Sequence, residues 1–103
     1  MQTNYRIETA GNLAVVTPLA DFTVFFMREV ADELDRLEAA GVRYVLFHLA
    51  HVNWIDSLGS GCLLKAALLS EKYGKQAALV LASEKIRFSL RQLGIEERFV
   101  FTT

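Results

Sequence analysis

Between residues 42 and 49 the chain is apolar at Val42, Tyr44, Val45, Leu46, Phe47 and Leu49. A run so short and so apolar predicts a strand at the centre of a sheet, covered on both faces or nearly so. The segment beyond this strand constrains the fold further. It reads Ile55-Asp56-Ser57-Leu58-Gly59-Ser60-Gly61 and then runs helix-like from Cys62 to Tyr73. A hydroxyl residue, Ser57, stands where strand hands over to helix. That is the N-cap position, where a side-chain oxygen accepts from the first-turn N–H groups. A phosphate placed there would meet a favourable helix dipole and backbone donors. One short segment is therefore expected both to start a helix and to offer a covalent switch.

The remaining elements emerge from periodicity and punctuation. Tyr5-Arg6-Ile7-Glu8 alternates as a half-buried strand does, Gly11-Asn12 reads as a hairpin turn, and Leu13 to Thr17 as the second strand. Pro18 ends that strand because it has no N–H for a ladder. Thr23 is a candidate N-cap for a helix carrying Phe26, Val30, Leu34 and Leu37 on one stripe, with Gly41 as terminator. Glu29, Asp32, Glu33, Asp35 and Glu38 line its other faces. Phe22, Phe25 and Met27 do not all fit the stripe; they cover the sheet's edge, the preferred expectation, or form an exposed apolar patch.

Helix two is expected over 57–73 with Gly74 as its stop, then a short buried strand over 77–81. Ser83 caps a third helix bearing Ile86, Leu90 and Leu93, Gly94 ends it, and Phe99-Val100-Phe101 makes a last strand. The expected order is β-β-α-β-α-β-α-β in one α/β domain spanning 1–103. Its sheet is mixed, and right-handed crossovers place the helices mainly on one face.

Composition narrows the function classes. Hydrophobic residues make up 52% of 103, ample for a core. A formal net charge of −1 gives no general drive toward nucleic acid or anionic membrane. Lys85, Arg87, Arg91 and Arg98 alternate with Glu84, Glu96 and Glu97, as on a solvated helix face. One cysteine, Cys62, allows no disulfide framework within the chain, and its expected role is a small buried core residue. No signal peptide is read at the N-terminus, and no apolar run approaches membrane-spanning length. A soluble cytoplasmic protein is expected. His48 and His51 bracket a strand end without the further ligands a metal needs, so neither a metal nor a cofactor is expected.

Catalytic motifs do not fit the segment. There is no G-x-x-x-x-G-K-[ST], since Lys65 stands four residues after Gly61, and Gly59-Ser60-Gly61-Cys62-Leu63-Leu64 fails G-x-G-x-x-G. G-x-S-x-G around Ser57 would need a glycine where Ile55 stands. Nothing in the sequence places a histidine against the serine, so no catalytic residue is assigned.

Asp56, Ser57, Gly59 and Gly61, at the end of a central apolar strand, resemble the Asp-Ser-x-Gly-x-Gly signature of STAS domains, among them the bacterial anti-sigma factor antagonists. The resemblance covers nearly the whole chain, including Ala78 to Leu81, Ile86 to Leu93 and Gly94-Ile95. It implies the STAS fold and a non-enzymatic regulator of transcription. It implies that Ser57 is the phosphorylated residue, and that Asp21, Asp56, Ser57, Leu58, Gly59, Ser60 and Gly61 meet a partner. That partner is an anti-sigma factor and serine kinase with an ATP-binding kinase fold; a serine phosphatase resets the pair. Neither nucleic-acid binding nor direct membrane insertion is implied.

The chain departs from that pattern in places. Leu58 stands where antagonists commonly carry a second Ser or Thr, and Ser60 where an apolar residue is common. Pro18-Leu19-Ala20-Asp21 matches the usual turn at Asp21 but lacks its glycine. The sequence stops at Thr103, where many antagonists continue into a further helix, so one sheet face or edge is expected to be less covered. An alternative is a non-switching STAS subunit of a lipid-transport or transporter-associated complex. A small enzyme using Ser57 or Cys62, or a ligand bound at the loop, is a more distant reading.

Overall fold

The computed structural model describes residues 4–21 and 24–103, apart from the side chains of residues 24–27 and of Leu58. Strands β1 (Tyr5–Ala10) and β2 (Leu13–Pro18) form an antiparallel hairpin. Helix α1 (Val24–Ala39) leads to β3 (Tyr44–His48), α2 (Ser57–Lys72) to β4 (Ala77–Val80), and α3 (Glu84–Gln92) with a 3-10 turn at Glu96–Arg98 to β5 (Phe99–Thr102). The sheet order is β1-β2-β3-β4-β5, and every pair after the first is parallel. This is the expected order with the short turn added. The Thr23 cap and the placement of Phe22, Phe25, Phe26 and Met27 lie outside the described residues.

Three parallel crossovers each advance one strand in the same direction. With a common right hand they set all three helices on one face. Burial tracks the register. Ile7, Val16, Phe47, Leu79 and Phe101 stand side by side across the sheet, and the middle three are fully buried. The next row, Glu8, Val15, Leu46, Ala78 and Val100, faces the other way; Ala78 is buried but Val100 is 45% exposed.

The central strand is fully covered on one face and partly covered on the other, within the expectation of cover on both faces or nearly so. Val45 and Phe47 are buried, whereas Tyr44, Leu46 and His48 are only half-buried. In the register Leu46 stands between the half-buried Val15 of β2 and the buried Ala78 of β4.

Helix α2 lies on the core face. Cys62, Leu63, Ala66, Ala67, Leu69 and Ser70 are buried, and the two alanines let the backbone approach the sheet closely. Against it packs α1, whose Val30 and Leu34 are fully buried. The acidic side of α1 meets basic residues of α2: Lys65 Nζ lies 2.9 Å from the Asp35 carboxylate and Lys72 Nζ 2.8 Å from Glu38 Oε2. Gly74, at φ +75, supplies the left-handed residue that stops the α2 segment.

Candidate functional site

The loop between β3 and α2 is anchored from within. Val52 and Ile55 point into the core, and Asp21, from the β2–α1 loop, holds the backbone between them. Its Oδ1 accepts from Asn53 N at 2.7 Å and from Trp54 N at 3.2 Å. One carboxylate thus ties together two loops at the same end of the sheet. The Trp54 side chain is left 47% exposed.

Asp56, not Ser57, is the N-cap of α2, which corrects the sequence-based assignment. Its backbone is extended (φ −95°, ψ −175°), and its Oδ1 accepts from Gly59 N at 2.8 Å. The carbonyl of Asp56 also accepts from Ser60 N at 3.0 Å and from Ser60 Oγ at 3.1 Å. Asp and Ser are comparably good caps, so two adjacent candidates leave the position ambiguous in sequence. The residue whose side chain reaches the third helical N–H takes the role, and that is Asp56.

Ser57 is consequently the first residue inside the helix, and it is exposed. Among the described residues its Oγ has no hydrogen-bond partner. The other residues named from sequence divide into groups. Gly61 is exposed, one turn beyond Ser57, whereas Asp21 and Asp56 are half-buried with one oxygen each engaged by backbone N–H groups. Gly59 and Ser60 are buried, and the Leu58 side chain lies outside the described residues. A cleft of about 230 Å³ lined by Ser57, Ser60, Gly61, Leu64, Leu93 and Ile95 opens beside the serine. Sequence reading missed its far wall. Leu93 looked like a core residue by spacing, but it falls beyond the last turn of α3 and is 51% exposed.

Burial pushes the Cys62 thiol up to about 12. It stays protonated at neutral pH and makes a poor nucleophile. Among the described residues no group of three or more His, Cys, Asp or Glu is placed to hold a metal ion, and no helix is long and apolar enough to cross a membrane. What the site offers is an accessible hydroxyl on a rigidly capped helix start.

Comparison with family models matches the STAS domain over residues 4–103. The chain belongs to the STAS family. No curated protein sequence matches it. Among solved structures, this STAS domain superposes on TM1081 of Thermotoga maritima with a TM-score of 0.84 at 15% identity, covering 96% of this chain and 86% of that one. The anti-sigma factor antagonist SpoIIAA in its unphosphorylated form gives 0.84 at 14%, covering 96% and 88%. A sulfate transporter family protein from Wolinella succinogenes gives 0.70 at 21%, covering 87% and 76%. At these identities the likeness is one of fold.

Proposed function

We propose that this STAS domain is an anti-sigma factor antagonist whose partner, a kinase-type anti-sigma factor, phosphorylates Ser57 and thereby releases itself. The observation that carries this reading is the division of labour at the start of α2. Asp56 caps the helix, so the exposed Ser57 hydroxyl has no structural duty to give up when modified. SpoIIAA, one of the fold's neighbours, is known in a phosphorylated as well as an unphosphorylated form.

Charge supplies the switch. Phosphate adds about −1.5 to −2 at neutral pH, next to Asp56 and on a surface the partner must desolvate. The helix N-terminus stabilises that charge within the domain itself. The modified protein therefore keeps its fold while the complex weakens, and a serine phosphatase restores binding. The domain acts as ligand and substrate, not as the catalyst, in keeping with a buried, protonated Cys62.

A second reading, a non-switching subunit of a transporter-associated complex, draws on the likeness to the sulfate transporter family protein. Paired baits separate the two. Wild type and Ser57→Asp are exposed to a lysate of the native host, and retained proteins are identified by mass spectrometry. A kinase-fold protein held by wild type and lost with Ser57→Asp supports the switch. A membrane transporter held equally by both replaces it with the second reading.

A further inference from the structure

Two unfavourable features at the end of the sheet face one cavity. The first is Leu81, directly after β4. At φ +58 it is the one left-handed residue other than glycine among the described residues. A side chain there crowds the following carbonyl, so glycine or asparagine is the usual choice. The Leu81 side chain is also 47% exposed, so burial does not offset the strain. Its N–H donates to Thr102 O at 2.9 Å, which holds the strained turn beside the end of β5.

The second is Arg87, in the first turn of α3. Its guanidinium stacks 4.3 Å over the Phe101 ring, and its Nε is buried with no hydrogen-bond partner among the described residues. Glu96 Oε2 lies 3.5 Å from that Nε without bonding it, while the same carboxylate takes Nε and Nη2 of Arg91 at 3.2 and 3.0 Å. One carboxylate thus faces two guanidinium groups and satisfies one. Stacking engages the flat face of a guanidinium and leaves its edge of donors open. A buried donor without an acceptor calls for an explanation.

Leu81 and Arg87 line a partly open cavity of about 250 Å³ with Ala82, Phe101, Thr102 and Thr103. It lies at the C-terminal ends of the parallel strands β4 and β5, the side on which open α/β sheets bind ligands. It shares no lining residue with the cleft beside Ser57. Arg87 is the one charged residue in its lining. A single guanidinium with Glu96 close by suits a monoanion better than a phosphate dianion, and its planar fork matches a carboxylate. The volume is below the ~300–1,000 Å³ of ordinary small-molecule pockets, which keeps the occupant short.

We propose that this cavity binds a small carboxylic acid with a short apolar tail, its carboxylate on Arg87 and its tail against Leu81. Such a ligand supplies the acceptor that Arg87 lacks and covers the exposed leucine. The site does not depend on the switching reading, because it uses neither Ser57 nor the residues around it.

The full chain is titrated with butyrate at constant ionic strength and followed by amide NMR. Saturable shifts are expected around residues 81–83, 87 and 101–103; their absence overturns the proposal. 1-Butanol keeps the tail without the charge, and inorganic phosphate keeps a charge without the tail. Each should bind at least about tenfold more weakly than butyrate; equal binding by either overturns the proposal. Affinity for butyrate should fall at least about tenfold in Arg87→Gln, which loses the charged fork. It should rise in Glu96→Gln, which removes the competing carboxylate, a gain that a merely structural Arg87 would not produce. Leu81→Gly relieves the strained backbone, so it should melt no lower than wild type and yet bind butyrate more weakly. Unchanged affinity in any of the three variants overturns the proposal. So does a clear drop in the melting temperature of Leu81→Gly, which would give the leucine a structural duty.

Discussion

The two ends of α2 are built on opposite plans. At the C-terminal end nearly every polar group is spent inside the fold. Glu38 Oε2 accepts from Lys72 Nζ at 2.8 Å and from Tyr73 OH at 2.6 Å, while Arg43 stacks 4.3 Å over the Tyr73 ring and donates to the Glu38 and Val42 carbonyls. Ser70 Oγ donates to Ala66 O and accepts from Val45 N, joining helix to central strand. At the N-terminal end Asp21 and Asp56 spend one oxygen each on the backbone, and the outermost groups stay free. Two serines on one helix therefore have different fates. Ser70 is fully buried and bonded twice, whereas Ser57 is exposed and carries no structural bond to a described residue. One end holds the domain together; the other presents it.

The sharpest way to break this contrast is Ser70→Ala. It leaves Val45 N–H without its side-chain acceptor in the core, an expected loss of about 1–3 kcal/mol in chemical denaturation. Next comes Asp56→Ala, which removes the cap and should lose about 1 kcal/mol, with Asp56→Asn keeping most of it. Were Ser57 the true cap, Ser57→Ala would produce that loss instead.

The C-terminal end also predicts an acid response. The Lys72 ammonium, then the Tyr73 hydroxyl, hold the Glu38 carboxyl below its usual value of 4.5. A lowered folded-state pKa gives stability that is present above the unfolded value and lost as pH falls through the folded one. A pH series of melting temperatures should therefore steepen below about 4.5 in wild type and flatten there in Glu38→Gln. The smallest effect is expected for Ser57→Ala, whose stability should stay within about 0.5 kcal/mol of wild type.

The contrast also explains what could be read from the chain. Element order was legible because the helices repeat every three to four residues and glycines punctuate them. The last stripe held at Ile86 and Leu90, both fully buried, and failed at Leu93, which the periodicity could not distinguish from a residue just past the helix end. The site was legible as a segment but not as a mechanism. Asp56 and Ser57 are adjacent and chemically interchangeable as caps, so only the reach of a carboxylate to Gly59 N decides between them. The Asp21 clamp spans 32 residues to Asn53, and no local pattern announces a bond of that range. The apolar run of β3 announced a central strand, but not that Val45 and Phe47 would be fully buried while Tyr44, Leu46 and His48 are half-buried, since a continuous run does not tell the two faces apart.

The central claim is that Ser57 is free to act as a switch while the fold stays unchanged. Titration calorimetry of the proposed kinase-fold partner, once captured, against unphosphorylated and Ser57-phosphorylated protein tests it most directly. The account predicts binding weakened at least about thirtyfold by the phosphate, with the domain still folded. Equal affinity of the two forms would contradict it and return Ser57 to an ordinary exposed position at the start of a helix.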